Sequence, residues 1–263
     1  MSVANGDERI NIRPEVSILS VLRHLNYKPW YALAEFVDNS LQSFLSNRAA
    51  IEALHGNGFR LRVDIELDAT SPGRIVVRDN AAGIAEQDYA RAFKPAEAPA
   101  DKSGLSEFGM GMKSAACWLA LHWSVRTKAI HEPVERTIAF DVSDIVQHQI
   151  EELDIRTRRA SANEHYTELI LEGLHKSPQG RTIAKIKEHL ASIYRGFQGS
   201  VEGGIAVEQL KDDNGAYGRS LLVVQSDVPG TINLIAWGIL GLFVGVYLMK
   251  LAMAYHDWRR SGN

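Results

Sequence analysis

One cysteine in 263 residues, Cys117, leaves no partner for an intramolecular disulfide and fits a reducing compartment. Charge of one sign is also lacking. Twenty-nine Lys and Arg against 32 Asp and Glu leave a formal −3, which gives no general footprint for nucleic acid. The opening "MSVANGDERINIRP" has no apolar core of the kind a secretory signal carries, so the N-terminal part is expected in the cytoplasm. There is no internal repeat. Neither the P-loop spacing G-x-x-x-x-G-K-[ST] nor the dinucleotide fingerprint G-x-G-x-x-G occurs. Apolar residues are not scarce: at 45% hydrophobic and 23% charged, the chain can bury a full core.

Composition changes near the C-terminus. "VPGTINLIAWGILGLFVGVYLM", residues 228–249, carries no charge and is long enough for a helix of about 30 Å, the thickness of a bilayer core. The expected organisation is a folded domain over 1–198, a linker with one short strand over 199–229, a transmembrane helix over 230–255 and a tail over 256–263. Lipid contact through 230–255 makes the protein membrane-associated and single-pass, with its folded domain cytoplasmic. Lys250, Arg259 and Arg260 follow the charge-free run, and the positive-inside tendency would keep that end cytosolic as well; one span cannot satisfy both flanks. Gly241 and Gly245 form a small-xxx-small pair through which two helices could meet as a homodimer.

Within the folded part, "PWYALAEFVDNSLQSFL" repeats apolar Trp30, Leu33, Ala34, Val37, Leu41 and Phe44 at helical spacing, with Glu35, Asn39 and Gln42 on another face. "FRLRVDIELD" alternates strictly and reads as a half-buried strand, and "RIVVRDN" as a second that ends at Asp79. "KSAACWLALHW" reads as an apolar helix. "WSVRTKAI", "RTIAFDV" and "YTELILEGL" are further strands, and "TIAKIKEHLASIYRGF" is a helix. Helices interleaved with mostly hairpin-linked strands predict an α+β two-layer sandwich.

Three polar stations stand on these elements. In "EFVDN", a carboxylate and an amide one turn apart can share a water and a divalent cation; the Asn39 oxygen suits Mg²⁺, and Glu35 could deprotonate a water. In "RDNAAGI", a carboxylate at a strand end could accept from an exocyclic amine such as that of adenine. In "GLSEFGMGMKSAA", glycines let backbone N–H groups approach phosphate, the next helix adds its positive end, and Lys113 adds a point charge. Taken singly, these pieces read as a solvated helix face, an Asp-Asn turn and a glycine-rich helix start.

Taken in order, "EFVDNS", "RDNAAGI" and "GLSEFGMGMKSAA" resemble the three nucleotide motifs of the GHKL superfamily, the Bergerat-fold ATPases. That superfamily includes the ninety-kilodalton heat-shock chaperones, gyrase B subunits, MutL, MORC proteins and sensor histidine kinases. A fourth motif is matched by "HYTELIL". The resemblance covers roughly residues 10 to 198 and looks nearest to chaperone-like and MORC-like bacterial ATP-binding proteins.

It implies a Bergerat-type two-layer α/β sandwich with a mixed sheet that binds ATP and Mg²⁺. By resemblance Glu35 is the general base, Asn39 the magnesium ligand and Asp79 the reader of adenine, with Gly83 in its turn and Thr167 in support. Gly104, Gly109, Met110, Gly111, Met112 and Lys113 match the phosphate loop, and residues 85–108 the lid. Ala81 stands where the pattern has its first turn glycine, and Tyr166 where the fourth motif has glycine. A second α/β domain whose lysine reaches the γ-phosphate, usual in many members, is replaced by the linker and apolar segment. Slow hydrolysis, lid closure and self-association are therefore expected. A serine kinase of the anti-sigma type and an ATP-gated binding module with negligible turnover are the alternatives. Client protein or nucleic acid is left open.

Overall fold

The computed structural model describes residues 16–70, 72–94, 110–194, 206–210 and 219–225. Pro29 opens the long helix α2 (Pro29–Ser46), where its fixed φ suits the first turn and its missing N–H costs nothing. A short helix α1 (Ile18–Leu22) precedes it and α3 (Arg48–His55) follows. Strands β1 (Arg62–Asp68) and β2 (Arg74–Asp79) form a hairpin. A 3-10 turn, Glu86–Asp88, leads into α4 (Tyr89–Phe93). Then come α5 (Gly111–Leu119), the hairpin β3 (Ala120–Lys128) and β4 (Val134–Asp141), α6 (Val142–His148), β5 (Ile155–Arg159), β6 (Tyr166–Leu174) and α7 (Arg181–Ile193). The last strands are β7 (Ala206–Leu210) and β8 (Arg219–Gln225).

One sheet holds the eight described strands in the order β5-β4-β3-β6-β2-β1-β8-β7. Alternation fixes its two faces. Val63, Ile65, Leu67, Ile75, Val77, Trp123, Val125, Ile138, Phe140, Leu169 and Leu171 are buried and share one core with Leu33, Val37 and Leu41 of α2. Their opposite neighbours, among them Asp64, Arg78, Arg126 and Glu168, form a polar face tied by ion pairs such as Arg126–Glu168 at 2.7 Å. This is the two-layer α/β arrangement expected.

Three expectations are corrected. Every pairing among the described strands is antiparallel, so the sheet is not mixed; β6 enters between β3 and β2 and runs against both. The helix read through Trp123 stops at Leu119, because Ala120 already pairs with Leu174 and the ladder outweighs helical periodicity. The stretch read as a linker supplies two strands instead of one, and β8 pairs along the whole of β1. Among the described residues no helix is long and apolar enough to cross a membrane, and residues 230–255 lie outside them.

Candidate functional site

α2 is the spine of the site. Its successive turns carry Glu35, Asp38, Asn39, Ser40 and Ser43, and three of these bond to the elements around it. Ser40 is buried, and its hydroxyl donates to Asp79 Oδ2 at 2.7 Å, with the Phe36 carbonyl 3.0 Å away. Asp79 closes β2 on the core side. Its Oδ1 accepts the backbone N–H groups of Ala81 and Thr167, each at 3.0 Å. Burial pushes the Asp79 pKa up, and the Ser40, Thr167 and Ala81 hydrogen bonds oppose that shift. Three donors leave about one acceptor site on the carboxylate for a ligand.

The turn after Asp79 is set by Gly83, at φ 74°. A Cβ there would overlap the backbone of Lys128 and Ala129, so only glycine fits. Ile84 N–H donates to the Thr127 hydroxyl at 2.8 Å, and Ile130 N–H donates to the Ala82 carbonyl at 2.8 Å. The turn is thereby stitched to the end of β3. Thr127 Oγ1 also lies 3.4 Å from Thr167 Oγ1, so the Thr167 hydroxyl faces Thr127 while its amide holds Asp79. Ala81, where the family pattern has glycine, is fully buried, and its carbonyl faces His165 Nδ1 at 2.7 Å. His165 Nε2 in turn meets His55 Nε2 at 2.7 Å, and burial lowers the His165 pKa.

At the other end of the site, α5 begins against α2. A Cβ on Gly111 would overlap the Glu35 carboxylate, so glycine here leaves room for that side chain against the start of α5. Desolvation, with the neighbouring Asp38 charge second, raises the Glu35 pKa to about 7. Desolvation likewise raises Asp38 to about 6, against a 2.6 Å hydrogen bond from the Tyr194 hydroxyl that lowers it. Tyr194 follows α7, is buried, and also reaches the Ala34 carbonyl at 3.1 Å.

Lys113 sits in the first turn of α5 as expected, but its ammonium donates to the carbonyls of Arg91 and Ala92 at 3.0 and 3.1 Å. It thus ties α5 to the last turn of α4. Met110 caps α5 and Met112 lies in its first turn, both partly buried against the core. Asn39 is half-buried on the same helix as Glu35. Gly104, Gly109 and residues 95–108 of the expected lid lie outside the described residues.

The structure therefore sets Gly111 beside Glu35 on α2, and brings Asp79 and Gly83 to the later turns of that helix through Ser40 and Ser43, with Thr167 holding Asp79. Sequence reading missed Ser40, Thr127, His165, Asp38 and Tyr194. Ser40 and Asp38 lie inside "EFVDNS", so adjacency was their only signal. Among the described residues no three of His, Cys, Asp and Glu could hold a metal by themselves. The oxygen donors Glu35, Asp38 and Asn39 fit a hard cation that takes its remaining ligands from water and phosphate.

No curated protein matches the chain. The family model described as Histidine kinase-, DNA gyrase B-, and HSP90-like ATPase matches residues 27–171, more than half of the length. That segment runs from the start of α2 into β6 and contains Ser40, Ala81 and Thr167, which hold Asp79. On this match the chain belongs to the histidine kinase-, DNA gyrase B- and HSP90-like ATPases.

Proposed function

We propose that this chain binds ATP with Mg²⁺ and hydrolyses it slowly. The observation that carries the reading is Asp79: a buried carboxylate oriented by three donors that retains capacity for one more, as an adenine amine requires. Glu35, at a pKa of about 7, is poised to take a proton from water near neutral pH. Asn39, with Glu35 and Asp38 beside it, would hold Mg²⁺, which supplies charge neutralisation on the phosphates when bound. Gly104, Gly109, Met110, Gly111 and Met112 would bring backbone N–H groups to those phosphates. Lys113 would reach them by leaving the α4 carbonyls.

Nucleotide-driven lid closure and self-association belong to the same proposal, as does tethering of a cytoplasmic ATPase domain to the membrane through residues 230–255. The support for tethering is the charge-free run of residues 228–249, which makes up most of that segment.

Incubation with γ-labelled ATP and Mg²⁺ tests the reading. Released phosphate supports an ATPase, and labelled protein would point to phosphotransfer on the same fold. Bound but intact nucleotide would reduce the protein to an ATP-gated binding module. Absence of binding would overturn the proposal.

A further inference from the structure

β5 is one of the two outer strands of the described sheet, and all five of its residues are exposed. The register pairs Val134 with Arg159 and Glu135 with Arg158, and just beyond, Ala160 N–H donates to the Pro133 carbonyl at 3.1 Å. Backbone groups in an antiparallel ladder point alternately toward and away from the partner. Arg156, Arg158 and Ala160 therefore turn their backbone groups toward β4, while Ile155, Thr157 and Arg159 turn theirs outward. Such an edge is a template for another strand.

The sequence that leads into and forms this edge, "EELDIRTRR" from Glu151 to Arg159, is acidic before Ile155, where β5 begins, and basic after it. Ile155 is one of four large apolar residues exposed among those described, at 48%. We propose that residues 151–154, which precede β5 and are not strand in this structure, continue this edge when it binds a second copy of the chain, paired antiparallel about a two-fold axis through Ile155. Asp154 then faces Arg156 of the second copy, Glu152 faces Arg158, Glu151 faces Arg159, and the two Ile155 side chains meet on the axis. Because the contact is isologous, each charge pairing occurs twice.

Neighbouring registers fail for stated reasons. An axis through Thr157 sets Arg156 against Arg158, and one through Leu153 sets Glu152 against Asp154, like charges directly opposite. A shift of one residue sets outward backbone groups against inward ones. Arg158 already pairs with Glu135 at 3.0 Å, so Glu152 of the second copy would extend an existing ion pair. The interface uses no residue of the nucleotide site and does not depend on that reading.

The test is oxidative crosslinking of the full chain carrying Ile155→Cys, with and without ATP. Paired residues on the axis place their Cα atoms about 5.5 Å apart, within the roughly 4.4–6.8 Å a disulfide needs. Cys117 is buried and stays out of the reaction. Crosslinked dimer is expected from Ile155→Cys regardless of nucleotide, and not from Arg159→Cys, which faces Glu151. Adding Arg156→Asp to Ile155→Cys should cut the crosslinked yield about tenfold, and further adding Asp154→Arg should restore it, because the swapped charges again face one another. The proposal fails if Ile155→Cys gives no crosslink, if Arg159→Cys crosslinks equally, or if the charge swap does not restore the yield. It fails too if sedimentation shows a dimer that Ile155→Cys never captures, since association would then use another surface.

Discussion

The two ends of the candidate site are held by different means. At the β2 end, Asp79 is fastened by a hydroxyl and two backbone amides, and the turn after it is stitched to β3 by further backbone bonds. At the α5 end, two carboxyl groups one turn apart are desolvated together, and each sits far above its ordinary pKa. The first end is organised before any ligand arrives, because the hydroxyl and backbone amides that hold Asp79 do not titrate. The second is set by proximity and burial, so its charge responds to pH and to any cation placed there. Base recognition built on the first should be rigid, and chemistry built on the second should be adjustable.

Glu35→Gln breaks the adjustable end with the largest expected effect. Phosphate release should fall by about 10²–10⁴-fold while ATP affinity stays near the parent value, since the carboxylate acts on the attacking water. Parallel turnover and calorimetric binding measurements separate the two quantities, and unchanged turnover would remove Glu35 as base. Asn39→Ala should instead weaken binding only when Mg²⁺ is present.

Gly83→Val attacks the rigid end. A β-branched residue at φ 74° facing the Lys128 backbone should cost about 2–4 kcal/mol in urea unfolding and take nucleotide binding with it. Asp79→Asn is milder on the fold. It exchanges one acceptor for a donor among three existing donors, and affinity for ATP should fall by about 1.5–3 kcal/mol. Undiminished affinity in a folded Asp79→Asn protein would take Asp79 out of the site.

The smallest effect is a slope with pH. Glu35 and Asp38 carry higher pKa values folded than unfolded, so between about pH 4 and 7 the folded state binds more protons. Their contribution to stability is greatest below the unfolded values and is lost as pH rises through about 6 to 7. Urea unfolding of the nucleotide-free protein at pH 5 and pH 8 should show that loss, and Glu35→Gln should flatten it. Turnover runs the other way, rising through about pH 7 as Glu35 becomes a base.

Legibility in the sequence follows range of contact. The α2 stripe, β1, β2 and α7 were readable because period and alternation are local properties of the chain. Asp79 and Gly83 were readable because a strand end and a turn carry their own residue types. Ser40 bonds across 39 positions, His165 across 84 and Tyr194 across 156, and nothing near them announces the partner. β7, an outer strand, and β8, which lies between it and β1, hid in a stretch that mixes glycine and charge and carries little local pattern. The end of α5 was misplaced because the Ala120–Leu174 pairing is decided by β6, more than fifty residues away.

Tyr194 lies beyond the stretch that carries the motifs, yet it braces the helix that bears Glu35. The family match ends at Leu171, yet the hydroxyl that holds Asp38 and reaches Ala34 arrives from beyond α7, and β1 has β8 along its other side. A fragment cut at Leu171 keeps every motif but strips the splint from the helix that bears Glu35, and it opens β1 as a raw edge. What is inherited as a motif set is therefore shorter than what must be made as a protein. A protease that nicks after Tyr194 should spare the acids of α2, and one that nicks before α7 should not.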